Sequence, residues 1–348
     1  MRTPLLLLVL ASLAAAAACD APRERPADPN PLGLSGTVPF QPLGKVPLTL
    51  PDTRGRTFDF VAETDGRVAL LFFGYTFCPD ICAIHMATLA AALREVGPDV
   101  RRRVATVFVT VDPARDTPER LEGWLGAFDS SFVGLRGDDA EIAAALAFYG
   151  YSPPETSGEE QGYTVSHPAL VYAFTPDGLG RAMYGPETAQ ATWVHDLPLL
   201  AGAGPAVAGA APAAQAASAL ARAGGIEVLD VVVPRPPTAT TTAVYMTLRN
   251  VGEAADTLVG IETAAAGRAT LHDMILEGGV MRMAPLLGGV ALPPGATVRL
   301  EPGGRHGMLE GLTGLPEPGG TVEIVLRLAR AGALQVAARV VRYEDVGR

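Results

Sequence analysis

The sequence predicts two domains, an α/β domain followed by an all-β sandwich. Between about residues 35 and 200, continuous apolar runs typical of buried strands alternate with helical segments. Residues 201–225 are nearly all Ala, Gly and Pro without periodicity, which is typical of a linker. Between residues 226 and 345, short β-rich runs alternate with Pro/Gly turns, which indicates a sandwich. A chain of 348 residues is long enough to fill both cores.

Local patterns predict the main elements of both domains. Thr117 and Pro118 suit the cap and first turn of a helix. The elements predicted in the first domain are strand Val68–Phe73, helix Ile81 to about Val96, strand Val104–Val111, a helix starting near Asp116 and strand Leu170–Phe174. The strands predicted in the second domain are Ile226–Val233, Thr241–Leu248, Thr297–Leu300, Thr321–Leu328 and Leu334–Val341.

The first residues predict export and a membrane anchor. Leu5–Ala18 is an apolar run too short to span a bilayer comfortably, and small residues precede Cys19. Residues 1–19 resemble a bacterial lipoprotein signal, in which the cysteine is acylated. The alternative is an ordinary secretory signal cut nearby. Residues 20–34 are predicted to form a solvated tether, so we expect a protein on the periplasmic side of the bacterial cell envelope, lipid-anchored to the membrane through Cys19.

Charge and cysteine content narrow the class of function. The formal charge of −10 argues against nucleic acid as a partner. If Cys19 carries lipid, Cys78 and Cys82 are the only cysteines left. Two cysteines separated by three residues in an oxidising compartment are a disulfide, a redox pair or metal ligands.

The cysteine turn has the features of a soft-metal site. Pro79 suits a first helical turn, which would put Cys78 at a helix N-terminus, where the dipole favours thiolate. Cys82 would then lie one turn along the same face. A third ligand should come from elsewhere, and His167 precedes a predicted central strand by two residues. Two thiolates and one imidazole suit copper as Cu(I) or Cu(II).

At these residues the chain resembles the Sco/SenC family of thioredoxin-like copper proteins. The matching pieces are Gly74-Tyr-Thr-Phe-Cys-Pro-Asp-Ile-Cys82, Val111-Asp112-Pro113, Arg115-Asp116-Thr117-Pro118 and Tyr163-Thr-Val-Ser-His167. The resemblance implies that Cys78, Cys82 and His167 are copper ligands. It also implies a role in assembling the dinuclear copper centre of cytochrome c oxidase, with the copper-receiving oxidase subunit as partner.

Other residues of this domain are predicted to have structural roles rather than to bind copper. Asp112 is a candidate loop-ordering residue, and its role is left open. Three side chains are predicted to be surface or packing residues: His85, Met86 and His195. A structural disulfide between the two cysteines is the competing interpretation, although so short a loop contributes little stability.

A second site is predicted on a hairpin rich in His and Met. A two-residue turn at Glu277-Gly278 would pair His272 with Met283 and Met274 with Met281. A turn at Gly278-Gly279 would change the partners but keep all four side chains on one face. A three-residue loop would instead put the two pairs on opposite faces. His306 and Met308 form a further i, i+2 pair. Imidazole and thioether ligands without thiolate select Cu(I), whereas the competing interpretation is that the methionines fill a core.

This region resembles the periplasmic copper chaperone family PCuAC, which is cupredoxin-like. The signature is His272, ten residues, Met283, twenty-two residues, then His306-x-Met308. The resemblance implies that these four residues bind one Cu(I). Met274 and Met281 are at most accessory ligands.

Together the two sites predict a copper metallochaperone rather than an enzyme. Cu(I) would pass between the Met/His site and the Cys/Cys/His site, or both sites would act on one oxidase subunit. One alternative is a thiol–disulfide oxidoreductase, with Cys78 and Cys82 as the redox pair, that reduces the cysteines of a copper-site client. Another is a copper storage or resistance protein.

Overall fold

A computed structural model describes residues 30–158, 163–202, 219–236, 240–277 and 280–346. The predicted signal, Cys19 and the start of the tether lie outside these residues, as does most of the predicted linker. Among the described residues, no helix is long and apolar enough to cross a membrane.

The described residues form helices mainly in the first domain and strands throughout. The helices are α1 (Phe60–Glu63), α2 (Ile81–Glu95), α3 (Pro98–Arg101), α4 (Pro118–Gly126), α5 (Asp139–Phe148), α6 (Gln190–Leu200) and a short 3₁₀ helix at Tyr343–Asp345. The strands of the first domain are β1 (Leu43–Gly44), β2 (Thr49–Pro51), β3 (Thr57–Asp59), β4 (Val68–Gly74), β5 (Val104–Thr110), β6 (Val133–Leu135), β7 (Thr156–Ser157), β8 (Thr164–Val165), β9 (His167–Pro168), β10 (Val171–Phe174) and β11 (Leu179–Tyr184). Those of the second are β12 (Ala221–Ala223), β13 (Ile226–Pro234), β14 (Thr241–Asn250), β15 (Asp256–Glu262), β16 (Ala266–Glu277), β17 (Val280–Pro285), β18 (Val290–Leu292), β19 (Thr297–Leu300), β20 (His306–Leu312), β21 (Thr321–Leu328) and β22 (Gly332–Val341).

The first domain has a mixed central sheet with the order β1-β11-β10-β4-β5-β6. Strands β4, β5 and β6 are parallel, and β10 pairs antiparallel with β4. Every residue of β4 and β5 is buried, as expected of strands covered on both faces. The predicted α/β thioredoxin-like class is confirmed. The turn that carries Cys78 directly follows the end of β4.

Helix α2 begins later than the sequence predicts. Pro79 does not occupy its first turn; the helix begins at Ile81 with Asp80 at the N-cap. Cys78 therefore lies in the turn before the helix, which corrects its predicted position at the helix N-terminus. An N-cap aspartate normally accepts a hydrogen bond from the first turn, but Asp80 makes no such bond.

The second domain is all-β, as predicted. Its strands follow the order β18-β15-β21-β22-β13-β14-β20-β16-β17, and β15 also contacts β16. The strand series therefore folds back on itself around an apolar core that includes Val228, Leu309 and Ile324. Four strands are absent from the sequence-based prediction: β12, β15, β18 and β20. Strand β12 lies within the predicted linker and pairs with β13.

The two domains are joined by strand pairing. β17 of the second domain pairs antiparallel with β9 of the first, with Met281 opposite His167 and Val280 opposite Pro168. An ion pair between Arg282 and Glu155, 2.9 Å long, flanks this contact on the exposed side. The sheet of the second domain thus continues into the first.

Asp80 makes the buried polar contact across the domain boundary. Its carboxylate is fully buried and accepts hydrogen bonds from the Tyr245 hydroxyl and from the Gly303 N–H, the latter 3.0 Å long. Both donors belong to the second domain. Because these bonds occupy the carboxylate, it is not available to cap α2.

Asp80→Ala should open the domain boundary locally while each domain stays folded. The variant leaves two buried donors without an acceptor, and each such donor costs roughly 1–3 kcal/mol. Amide hydrogen exchange should therefore become faster around Asp80 and Gly303. Asp138→Ala is the matched control, because Asp138 caps α5 through a capping box far from this contact. Unchanged exchange around Gly303 in Asp80→Ala would contradict the role of this contact.

Candidate metal centres

Cys78, Cys82 and His167 come together in the first domain. Their ligand atoms all lie within 4.8 Å of one another, and Cys82 Sγ is 3.6 Å from His167 Nε2. Cys78 comes from the turn after β4, Cys82 from the first turn of α2 and His167 from β9. All three side chains are buried, and neither cysteine forms a disulfide.

The surrounding residues orient His167 toward the sulfurs. Its Nδ1 lies 2.9 Å from the Pro168 carbonyl oxygen, which requires the proton on Nδ1 and leaves the Nε2 lone pair free. The rings of Phe72 and Tyr75 pack edge-on against the imidazole. Gly74 is needed for close packing, because a β-carbon there would lie 2.8 Å from Cys82 Sγ.

The two thiols are electrostatically unequal. Burial disfavours the Cys78 thiolate, but hydrogen bonding with Cys82 and the neighbouring His167 outweighs it, so the pKa of Cys78 lies well below its usual value. Burial and the neighbouring Cys78 sulfur raise the pKa of Cys82 well above its usual value. The pair therefore carries its first negative charge on Cys78.

Asp112 orders the segment that carries His167. Its carboxylate accepts hydrogen bonds from Arg115 Nε, at 2.5 Å, and from the Tyr163 hydroxyl, at 2.8 Å. Arg115 also donates to the Tyr163 carbonyl, and its guanidinium stacks 3.5 Å from the Tyr163 ring centroid. The role left open for Asp112 is thus loop ordering through Arg115 and Tyr163.

The four His and Met residues predicted for the second centre also share one region. His272 Nδ1 lies 3.0 Å from Met283 Sδ. His272 is the cross-strand partner of His306, with ring centroids 6.1 Å apart. Met308 follows His306 by two residues on β20, so both side chains lie on the same face of the sheet.

Both imidazoles of this centre have a nitrogen suited to metal binding. His306 is fully buried, and its Nδ1 lies 2.9 Å from the Gly304 carbonyl oxygen. Its Nε2 is buried without a hydrogen-bond partner, which is rare in folded proteins. Burial, together with electrostatic repulsion from His306, lowers the pKa of His272 to about 4. His272 is therefore a neutral imidazole at neutral pH, the form that binds metal.

The hairpin adopts the second of the two predicted registers. Glu277 pairs with Val280, which leaves residues 278 and 279 between the strands, outside the described residues. Met274 is opposite Met283, and His272 is opposite Pro285. A turn at Glu277-Gly278 would pair His272 with Met283, and that predicted pairing is wrong. The His and Met side chains still lie on one face of the sheet, as predicted.

The second centre borders an open cleft at the domain boundary. The cleft has a volume of about 510 Å³ and is lined by His272, Met283 and Met308 from the second domain. Ser157 and Thr164 line it from the first domain. A partner or a copper ion from solvent can reach this centre directly, whereas the exposed fraction of Cys78 is 5% and that of Cys82 is 0%.

Sequence reasoning missed the residue that lies between the two centres. Asp80 stands between the two cysteines, and its Oδ2 is 3.8 Å from His306 Nδ1. Burial raises the pKa of Asp80, although His306 and the Tyr245 hydroxyl oppose this. The only local signal was an acidic residue before a helix, which predicts a cap rather than a contact between domains.

The residues predicted to be surface or packing residues lie outside both centres. His85 and Met86 are buried in α2, and His85 Nε2 donates to the Ala169 carbonyl oxygen over 3.0 Å. On α6, Nδ1 of His195 lies 2.6 Å from Oδ1 of Asp196.

Each domain matches a different protein family. Residues 40–201 match the SCO1/SenC family model, and residues 226–340 match the model of putative LpqE-like lipoproteins. A putative copper-binding protein of Stutzerimonas stutzeri is 35% identical over 123 residues, which are 34% of this chain and 59% of that protein. These matches confirm the resemblances predicted from the motifs, Sco/SenC in the first domain and a PCuAC-like domain in the second.

Solved structures resemble each domain separately. ScoI of Bradyrhizobium japonicum with copper bound is 33% identical and covers 44% of this chain and 97% of its own, with a TM-score of 0.40. The copper-bound PCuAC domain from PmoF2 is 23% identical and covers 35% of this chain and 96% of its own, with a TM-score of 0.30. The chain spans 34%, 59% and 54% of the length of the first curated relatives it matches.

The buried His85 should make stability depend on pH. Burial lowers the pKa of His85 to about 4, so below the usual value of 6.5 the unfolded chain binds a proton that the folded chain does not. The folded state therefore loses stability as pH falls from about 6.5 to about 4, by about 1.4 kcal/mol per pH unit at most. Urea unfolding measures the free energy of unfolding of the wild type and of His85→Gln. The advantage of the wild type over the variant should shrink as pH falls through this range. If the unfolding free energies of the two proteins changed in parallel with pH, His85 would not be the source of the pH dependence.

Proposed function

We propose that this chain is a copper metallochaperone with two copper centres. The first consists of Cys78, Cys82 and His167, and the second binds Cu(I) through its His and Met residues, which are His272, Met283, His306 and Met308. The observation that carries the proposal is the convergence of two sulfurs and one imidazole nitrogen within 4.8 Å. The copper-bound neighbours of both domains support it.

Ligand chemistry favours copper over hard metal ions. Thiolate and thioether ligands are soft and select Cu(I), whereas carboxylate and carbonyl oxygens suit Mg²⁺ and Ca²⁺. The second centre has no thiolate, so it cannot be lost to disulfide formation. Among the described residues, the Cys/Cys/His centre is the only group of three or more Cys, His, Asp or Glu ligand atoms with this spacing.

The proposed client is the copper-receiving subunit of cytochrome c oxidase, whose dinuclear copper centre requires metal delivery. This part of the proposal is supported by the resemblance of the first domain to the SCO1/SenC family. We further propose that the protein works on the periplasmic side of a bacterial membrane. An acylated Cys19 would hold it there.

Copper titration separates the two centres. The reduced protein should bind two Cu(I) per chain, and Cys78→Ser and Met283→Leu should each lose the affinity of one centre only. Loss of a soft ligand should weaken binding by roughly tenfold or more, about 1.4 kcal/mol. Competition with a chromophoric Cu(I) chelator measures both affinities. Met246→Leu, in the core of the second domain, is the control and should bind two Cu(I) per chain. A reduced wild-type chain that binds no Cu(I) would rule out the proposal.

The unequal thiols favour a second candidate function, thiol–disulfide exchange. A low-pKa Cys78 beside a buried Cys82 is the arrangement of an attacking and a resolving cysteine. An oxidoreductase should reduce a disulfide substrate in metal-free form and keep that activity in His167→Ala. A chaperone should lose copper affinity in His167→Ala and show no turnover without metal. Steady-state reduction of a model disulfide, followed with apo protein, separates the two.

A further inference from the structure

One face of the sheet carries soft side chains from both centres in a continuous row. Antiparallel partners and residues two apart on a strand share a face of a sheet. Across β20, β16, β17 and β9 the row consists of His306 and Met308, His272 and Met274, Met283 and Met281, and His167. The last member is a ligand of the first centre, so the row crosses the domain boundary.

The register sets the spacing along the row. His272 is opposite His306, Met274 is opposite Met283, and Met281 is opposite His167. Side chains that face each other in this way have β-carbons about 4.5–5.5 Å apart. A thioether on a flexible Met side chain bridges such a gap, which makes Met281 the member that reaches toward the first centre.

Burial shields the part of the row nearest the first centre from water. Met281 and Met283 are buried, and Met281 packs into the core cluster of the first domain although it belongs to the second. Beyond it, His167 Nε2 is 3.6 Å from Cys82 Sγ. The Met/His end of the row opens to the cleft, whereas the sulfur end is closed. Copper that enters from the cleft therefore meets the thioethers before it meets the thiolates.

We propose that Met281 is a transient Cu(I) ligand through which copper passes from the Met/His centre to the Cys/Cys/His centre. This inference rests on the proposed function. In the step, a copper–Met283 bond breaks as a copper–Met281 bond forms, and the Met281 bond is then replaced by bonds to His167 and the cysteine sulfurs. Copper stays Cu(I), no electron is exchanged, and any thiol proton that copper displaces goes to solvent.

The test is the rate at which copper reaches the thiolates. Reduced apo protein is mixed anaerobically with one equivalent of Cu(I) in acetonitrile, and the ultraviolet absorption of copper–thiolate bonds is followed by stopped flow. Met281→Leu should slow the rise roughly tenfold or more, at an unchanged final amplitude. The slowed step should not depend on protein concentration, because the transfer is intramolecular.

A matched control and two contrary outcomes decide the inference. Met246→Leu replaces a methionine buried in the core of the second domain, away from the row, and should load at the wild-type rate. Equal rates in Met281→Leu and the wild type would overturn the role of Met281 while leaving copper binding intact. Absence of any copper–thiolate absorption in the wild type would instead overturn the proposed function, and with it this inference.

Discussion

The arrangement of the two domains depends on one buried carboxylate. Asp80 is fully buried, and burial of a carboxylate without partners is strongly unfavourable. Its partners, Tyr245 and the Gly303 N–H, belong to the other domain. Because Asp80 stands between Cys78 and Cys82, the same contact that joins the domains also fixes the cysteine turn relative to His306.

The ligand set of the second centre was predictable because strand alternation is insensitive to small shifts. Moving a two-residue turn by one position changes each partner by two residues, and this preserves the face on which His272 and Met274 lie. The exact register was not predictable. Both Glu277-Gly278 and Gly278-Gly279 are plausible two-residue turns, and the pairing of Met274 with Met283 became evident only from the strands themselves.

The features that sequence reasoning missed depend on distant contacts. Pro79 and Asp80 have the local signals of a helix start, yet Asp80 bonds Tyr245, 165 positions away, and α2 begins at Ile81. Strand β12, Ala221–Ala223, has the composition of a linker and is ordered by pairing with β13. In each case tertiary pairing overrides the local preference.

The burial of the cysteines has a chemical consequence in an oxidising compartment. Disulfide exchange requires an external sulfur to approach the cysteine sulfur directly, and Cys82 offers no exposed surface while Cys78 offers almost none. Mixed disulfides with external thiols, and exchange with a client disulfide, therefore require the cysteine turn to open first. The rate at which this turn opens therefore limits how fast the pair can equilibrate with the redox poise outside.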